Sequence, residues 1–317
     1  MSDFLFTYDN IYLRPKHSSL KSRSLADTTT DFCGHKFNLP VVPANMADVI
    51  SFENAKFLSE NGYFYIMHRF NNATKKFADY SSDQKLKLIS LSVGVGEESK
   101  SDIEYAREKL SNIDFITIDV AHGDHDNVED MVNWIRDYFD GYSPAPNIIA
   151  GNVATSDGYK FLCGLGVDAV KIGIGGGSIC STRYKTGFHL PTAYSVLECS
   201  EIGLDVPIIA DGGAKHYGDI AKALTLGATM VMSGGWFASC IDSPARIING
   251  KKVYRGSTSY ESKGEHKHIE GITLELEEGF TYSDRLNEIK QALQSSISYA
   301  GGDDLSSFNT VELEELI

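Results

Sequence analysis

The chain has 317 residues, 42% of them hydrophobic and 23% charged, with a formal net charge of −14. That is apolar material for one large core, and the acidic balance excludes a protein that grips nucleic-acid backbones through a basic face. Five cysteines without Cys-x-x-Cys or Cys/His zinc spacing, and an N-terminus without a basic patch or apolar signal core, predict a reduced, cytoplasmic protein. No stretch approaches the ~20 apolar residues of a membrane helix, so no membrane contact is expected.

In chain order, the first thirty residues read as an N-terminal arm. Eight short apolar runs follow: Leu39–Pro43, Tyr65–Met67, Leu91–Val95, Phe115–Val120, Asn147–Ala150, Ala169–Ile172, Pro207–Ala210 and Met230–Met232. Their hydrophobicity is nearly continuous rather than alternating, as in parallel strands covered on both faces. Between them, Ser101–Leu110, Asn127–Phe139, Thr192–Ser200 and Gly218–Leu226 carry apolar residues near helical spacing. Eight such units predict an α/β fold, a (β/α)8 TIM barrel formed by residues 1–317 as one catalytic domain. A Gly-, Ser-, Lys- and Glu-rich excursion from about Ile241 to Phe280 follows the eighth strand, and a helix over Ser283–Ser296 completes the barrel. Long insertions at strand ends build active sites or lids.

The chemistry-bearing residues fall at strand ends. Strand four ends at Asp119, strand five at Gly151-Asn152, and strand six opens into Lys171–Gly187 (KIGIGGGSICSTRYKTG). Glycines let a ligand approach the backbone closely. Cys180 closes that loop beside Ser178, Ser181, Thr182, Arg183 and Lys185; nearby cations would favour its thiolate and make it nucleophilic. Cys33, Cys163, Cys199 and Cys240 lack this setting and read as packing residues. Gly212-Gly213 and Gly234-Gly235, after strands seven and eight, suit a phosphate. The charged run Gly264–Gly271 could supply a carboxylate for proton transfer.

These residues carry a resemblance. Tyr8–Pro15 (YDNIYLRP), Lys21–Ser24 (KSRS), Leu39–Met46 (LPVVPANM), Tyr65–Arg69 (YIMHR) and Ile116–Gly123 (ITIDVAHG) form one part of it. Ile149–Val153 (IAGNV), Ile209–Gly213 (IADGG) and Gln294–Gly302 (QSSISYAGG) form the rest. Together they resemble the IMP dehydrogenase/GMP reductase family over nearly the whole chain, on the side of its short bacterial reductases, which have no CBS regulatory insertion. The resemblance implies reductive deamination of GMP to IMP and ammonia with NADPH, through a thioimidate on Cys180 at purine C2. Thr182 would help protonate the leaving amine, with Glu270 as its partner.

By the same resemblance, Asp211 would hold the ribose, and Gly212, Gly213, Gly234 and Gly235 the phosphate. Gly256, Ser257, Thr258, Lys267, His268, Ile269 and Gly271 would complete the substrate contacts. The cofactor would meet Ser22, Arg23, Arg69, Asp119, Val120, Ala121, Ile174, Gly175, His266 and Lys267. Ser295, Ser296, Ile297 and Ser298 would reach a neighbouring subunit's cofactor, which implies a homotetramer. A potassium ion would lie on carbonyls of Gly175, Gly177 and Cys180, near Arg183. The family usually has Gly-Pro-Gly where this chain has Gly175-Gly176-Gly177, and losing that proline should loosen the loop. Two rival readings remain: oxidation of IMP to XMP by an IMP dehydrogenase-like barrel, and a purine-nucleotide-binding barrel without catalysis.

Overall fold

The computed structural model describes residues 5–256, 272–277 and 279–315. Strands β1 (Ile11–Leu13), β2 (Thr30–Phe32) and β3 (His35–Phe37) lead into β4 (Val41–Pro43), β5 (Ser90–Val93), β6 (Phe115–Asp119) and β7 (Asn147–Val153). They are followed by β8 (Ala169–Ile172), β9 (Ile208–Asp211), β10 (Met230–Ser233), β11 (Arg246–Ile248), β12 (Lys251–Arg255), β13 (Thr273–Leu276) and β14 (Leu313–Glu315). The first five helices are α1 (Phe52–Glu60), α2 (Ala73–Gln84), α3 (Glu97–Lys109), α4 (Asp126–Tyr138) and α5 (Ser156–Gly164). Five more among the described residues are α6 (Thr182–Thr186), α7 (Thr192–Ser200), α8 (Gly218–Thr225), α9 (Gly235–Ala238) and α10 (Tyr282–Tyr299).

Seven parallel strands pair in the order β4-β10-β9-β8-β7-β6-β5 and curl into a (β/α)8 barrel. All four residues of β5 and of β8 are buried, as expected where helices cover the outside and side chains fill the inside. The helices present one apolar stripe each; α4 buries Val128, Met131, Val132 and Ile135, three and four residues apart. Thr281 caps α10 reciprocally with Asp284, which fixes where the last helix starts. Among the described residues no helix is long and apolar enough to cross a membrane.

The eighth stave differs from expectation. Tyr65–Met67 is fully buried but is not a regular strand. It holds β5 through one backbone bond, Met67 N–H to Ser90 O at 3.1 Å, and through the Tyr65 hydroxyl on Leu88 O. Side-chain bonds supplement one backbone bond at this seam, whereas backbone ladders join the seven strands to one another. At the barrel floor the β2–β3 hairpin inserts Phe32 and Phe37 against Phe64 and Phe115, with ring centroids 5.0–5.2 Å apart for Phe64 and each of its three neighbours. A plug thus follows directly on the N-terminal arm, and within the arm β1 pairs antiparallel with β14 at the other end of the chain. The excursion is also more regular than its composition predicts, because β11, β12 and β13 form an antiparallel sheet.

Candidate active site

A cleft of about 690 Å³ opens at the C-terminal ends of the barrel strands. Its floor is strand-borne. Asp119, Gly151 and Lys171 are register partners on β6, β7 and β8, so the three face the same way. A Cβ at Gly151 would stand 2.6 Å from Lys171 Cβ, so glycine there lets the lysine cross the barrel mouth. Lys171 is only 2% exposed, and its Nζ meets Asp119 Oδ1 at 2.7 Å, Asp211 Oδ2 at 3.3 Å and Asn45 Oδ1 at 3.3 Å. Asn152 Nδ2 donates to Asp211 Oδ2 at 2.8 Å and to Gly173 O at 2.7 Å, tying the floor to the glycine loop.

Burial alone would pull the Lys171 ammonium below its ordinary value, but the two carboxylates outweigh it and hold it above. Burial pushes Asp119 up, and Lys171 and Arg69 reverse that and hold it below the usual carboxylate range. Arg69 also donates from Nε to the Asp119 carbonyl at 3.2 Å. It lines the cleft together with Asp119, Val120, Ala121, Ile174 and Gly175, so the cleft gathers these predicted cofactor contacts.

The opposing wall is loop-borne. Cys180 is half-buried, and its thiol donates to Thr182 Oγ1 at 3.1 Å. Of the cations next to it in sequence, exposed Arg183 lies over the Tyr184 ring at 4.5 Å. The hydrogen-bond partner of Cys180 is a hydroxyl. Burial pushes the other thiols up, Cys33 and Cys199 to about 12 and Cys240 to about 11, with Cys163 raised as well, consistent with packing roles. The loop is pinned from the excursion: Ile272 N–H donates to Ile179 O at 2.9 Å, and Gly256 N–H donates to Ile272 O at 3.1 Å.

The glycine turns after the adjacent strands β9 and β10 form a third side. Gly212 and Gly213 lie at φ 86° and 82°, where L side chains are strained. A Cβ on Gly234 would stand 1.8 Å from the Tyr254 hydroxyl, so the tyrosine occupies the space that the glycine vacates. Gly235 and Gly256 line the same cleft. Ser257, Thr258, His266, Lys267, His268, Ile269, Glu270 and Gly271 lie outside the described residues.

Ser22, Arg23 and Ser295–Ser298 do not line this cleft. Arg23 reaches α10 instead, where its Nη1 donates to Ser295 Oγ at 3.3 Å. Ile297 is fully buried in the core, so any contact from this run falls to the serines. Sequence reasoning marked Asn152 as a strand end without giving it a role, and missed Lys171, Asn45 and Tyr254. Lys171 left a signal, a lysine inside a four-residue strand that is otherwise apolar; Asn45 and Tyr254 left none.

The family model described as IMP dehydrogenase / GMP reductase domain matches residues 5–315. A GMP reductase of Oenococcus oeni and one of Staphylococcus aureus are each 44% identical over 315 residues, which covers 97% of this chain and 95% of each relative.

Proposed function

The chain belongs to the IMP dehydrogenase/GMP reductase family, and we propose that it is a GMP reductase, converting GMP to IMP and ammonia with NADPH in purine nucleotide salvage. The observation that carries the reading is Cys180 Sγ at 3.1 Å from Thr182 Oγ1, in a cleft floored by Asp119, Lys171 and Asp211. A purine nucleotide would place its ribose on Asp211 and its phosphate at the glycine turns after β9 and β10, bringing C2 to Cys180. Sulfur bonds to C2, the C2–amine bond breaks, and the amine leaves as ammonia with a proton relayed through Thr182. Glu270 is the proposed partner of Thr182.

The residues on the other side of the cleft fit a dinucleotide: Asp119 offers a carboxylate, Arg69 a cation, and Ile174 and Gly175 a close backbone approach. When bound, the reduced nicotinamide supplies the hydride that adds to C2. The C2–sulfur bond then breaks and the Cys180 thiolate returns. Carbonyls of Gly175, Gly177 and Cys180 would hold a potassium ion. Residues 173–182 offer backbone oxygens and no carboxylate, which suits a weakly hydrated monovalent ion. Ser22 and Arg23, with Ser295, Ser296 and Ser298, would meet the cofactor of a neighbouring subunit in a homotetramer. The whole chain acts as one catalytic barrel without a regulatory insertion.

The test is absorbance at the nicotinamide band with purified protein. GMP-dependent loss of the NADPH signal is expected, and Cys180→Ala should abolish turnover while GMP still binds. IMP-dependent formation of NADH, or normal turnover by Cys180→Ala, would overturn the reading.

A further inference from the structure

A second buried lysine lies outside the cleft. Lys252, on β12, is 2% exposed. Its Nζ donates to three backbone carbonyls, Ile241 O at 3.0 Å, Ser243 O at 3.1 Å and Ala245 O at 3.3 Å. An ammonium has three protons to donate, and each finds a carbonyl. No carboxylate lies within ion-pair distance of it among the described residues. An isolated buried charge is costly unless hydrogen bonds replace its water, so three converging carbonyls are the arrangement such a group requires. The same chemistry, carbonyl oxygens turned on one point, binds weakly hydrated monovalent cations.

The turn that supplies these carbonyls is held from several sides. Ser243 Oγ donates to Ala238 O at 2.7 Å, Asn54 Nδ2 to Asp242 O at 3.2 Å, and Tyr282 N–H to the Asp242 carboxylate at 2.9 Å. The turn is thus fixed to α9, α1 and α10. The lysine reaches from it into the middle strand of the excursion sheet. Along β12, Lys252 and Tyr254 share a face by strand alternation, and Tyr254 fills the space beside Gly234 in the cleft. Just past β12, Gly256 N–H holds Ile272 O, and Ile272 N–H holds Ile179 O, one residue before Cys180.

We propose that the carbonyls of Ile241, Ser243 and Ala245 form a monovalent-cation site filled permanently by the Lys252 ammonium, and that this tethered cation positions the Cys180 loop through β12. Lys252 touches no reacting atom; it is a positioning residue. The nest does not depend on which purine reaction the cleft performs.

Lys252→Ala in the full chain tests it, because the truncation leaves three inward carbonyls and room for an alkylammonium ion. Unfolding midpoint, the alkylation rate of Cys180 mapped by mass spectrometry, and turnover are read in propylammonium and in tetramethylammonium at equal ionic strength. The variant should turn over about tenfold more slowly, the loss expected when a reacting group drifts from its geometry. Propylammonium, which carries N–H donors, should restore all three readouts saturably. Tetramethylammonium, which carries none, should not, and wild type should respond to neither. Lys252→Met, whose side chain fills the nest without a donor, should be impaired and not rescued. Equal behaviour of Lys252→Ala in the two salts overturns the proposal, and so does a Lys252→Met protein with wild-type midpoint and turnover. If Lys252→Ala must be refolded, recovery only in propylammonium supports the proposal, while equal recovery, or none in either salt, overturns it.

Discussion

The floor and the wall of the cleft are built on opposite principles. The floor sets Asp119, Lys171 and Asp211 on strand ends of a closed barrel and locks them by charge, with Lys171 2% exposed between two carboxylates. The wall sets Cys180 on a glycine loop held by backbone contacts to the excursion and by one thiol–hydroxyl pair. Strand-borne groups hold orientation to a fraction of an ångström; loop-borne groups can move through a covalent step. The proposed binding groups sit on the first kind of support and the proposed nucleophile on the second.

Lys171→Met should break that contrast most severely. Removing one partner of a buried ion pair typically costs about 3–5 kcal/mol, because the orphaned charge stays behind. Here two carboxylates lose one cation, so the unfolding free energy measured in urea should fall by that order, and adding Asp119→Asn should recover part of it. The pH dependence follows the same network. Asp119 is held below its unfolded value of ~3.9, so its contribution is present above that pH and lost as pH falls through the folded value. Lys171 is held above its unfolded value of ~10.4, so its contribution is present below that pH and lost as pH rises through the folded value. Lys171→Met should flatten both limbs.

Between those limbs one group should dominate. His68 follows the irregular stave, faces the Phe70 ring at 6.3 Å, and has a buried Nδ1 without a hydrogen-bond partner among the described residues. Burial pulls its imidazole down to about 4, with Asp48 opposing. A base depressed in the folded state contributes stability that is complete above its unfolded pKa of ~6.5 and is lost as pH falls towards 4. At about 1.4 kcal/mol per pH unit the loss is at most about 3 kcal/mol. His68→Gln should flatten the unfolding midpoint between pH 6.5 and 4.5 and leave the outer limbs in place. An unchanged profile would assign the window to other groups.

What was legible in the sequence follows from the same division. Strand runs and helix stripes are local patterns, so the barrel was readable within a few residues: Ala169–Ile172 and Thr192–Ser200 match the observed elements end for end. Tyr65–Met67 had the apolar content of a strand, but ladder pairing depends on its neighbours. The excursion looked like loop because Lys252 reads as a surface residue until the carbonyls around it are known. Cys180, Asp211 and the glycine pairs stood out because turn glycines and a lone thiol are rare in apolar runs. Tyr254 did not, and the role of Asn152 did not, since both rest on long-range contacts.

The smallest expected effect tests the wall. The family's proline at the position of Gly176 implied that this chain has a looser loop. An ideal Cβ at Gly176, however, lies 2.4 Å from Thr192 Oγ1, and Thr192 is itself buried at the start of α7. The space a proline ring needs is therefore already used by a threonine hydroxyl. Two terms compete in Gly176→Pro. Restricting the unfolded chain stabilises by about 0.4–1 kcal/mol, and overpacking a filled site costs about 1–3 kcal/mol. The second term wins while Thr192 is present, so the variant should unfold earlier and alkylate at Cys180 at an altered rate. Thr192→Ala removes the colliding oxygen, and in that background the proline should become neutral or mildly stabilising. The pair forms a double-mutant cycle in which the sign of the proline effect depends on one atom. If Gly176→Pro stabilises the protein with Thr192 intact, the loop is not packed against α7 as described, and its order must come from the floor and the excursion.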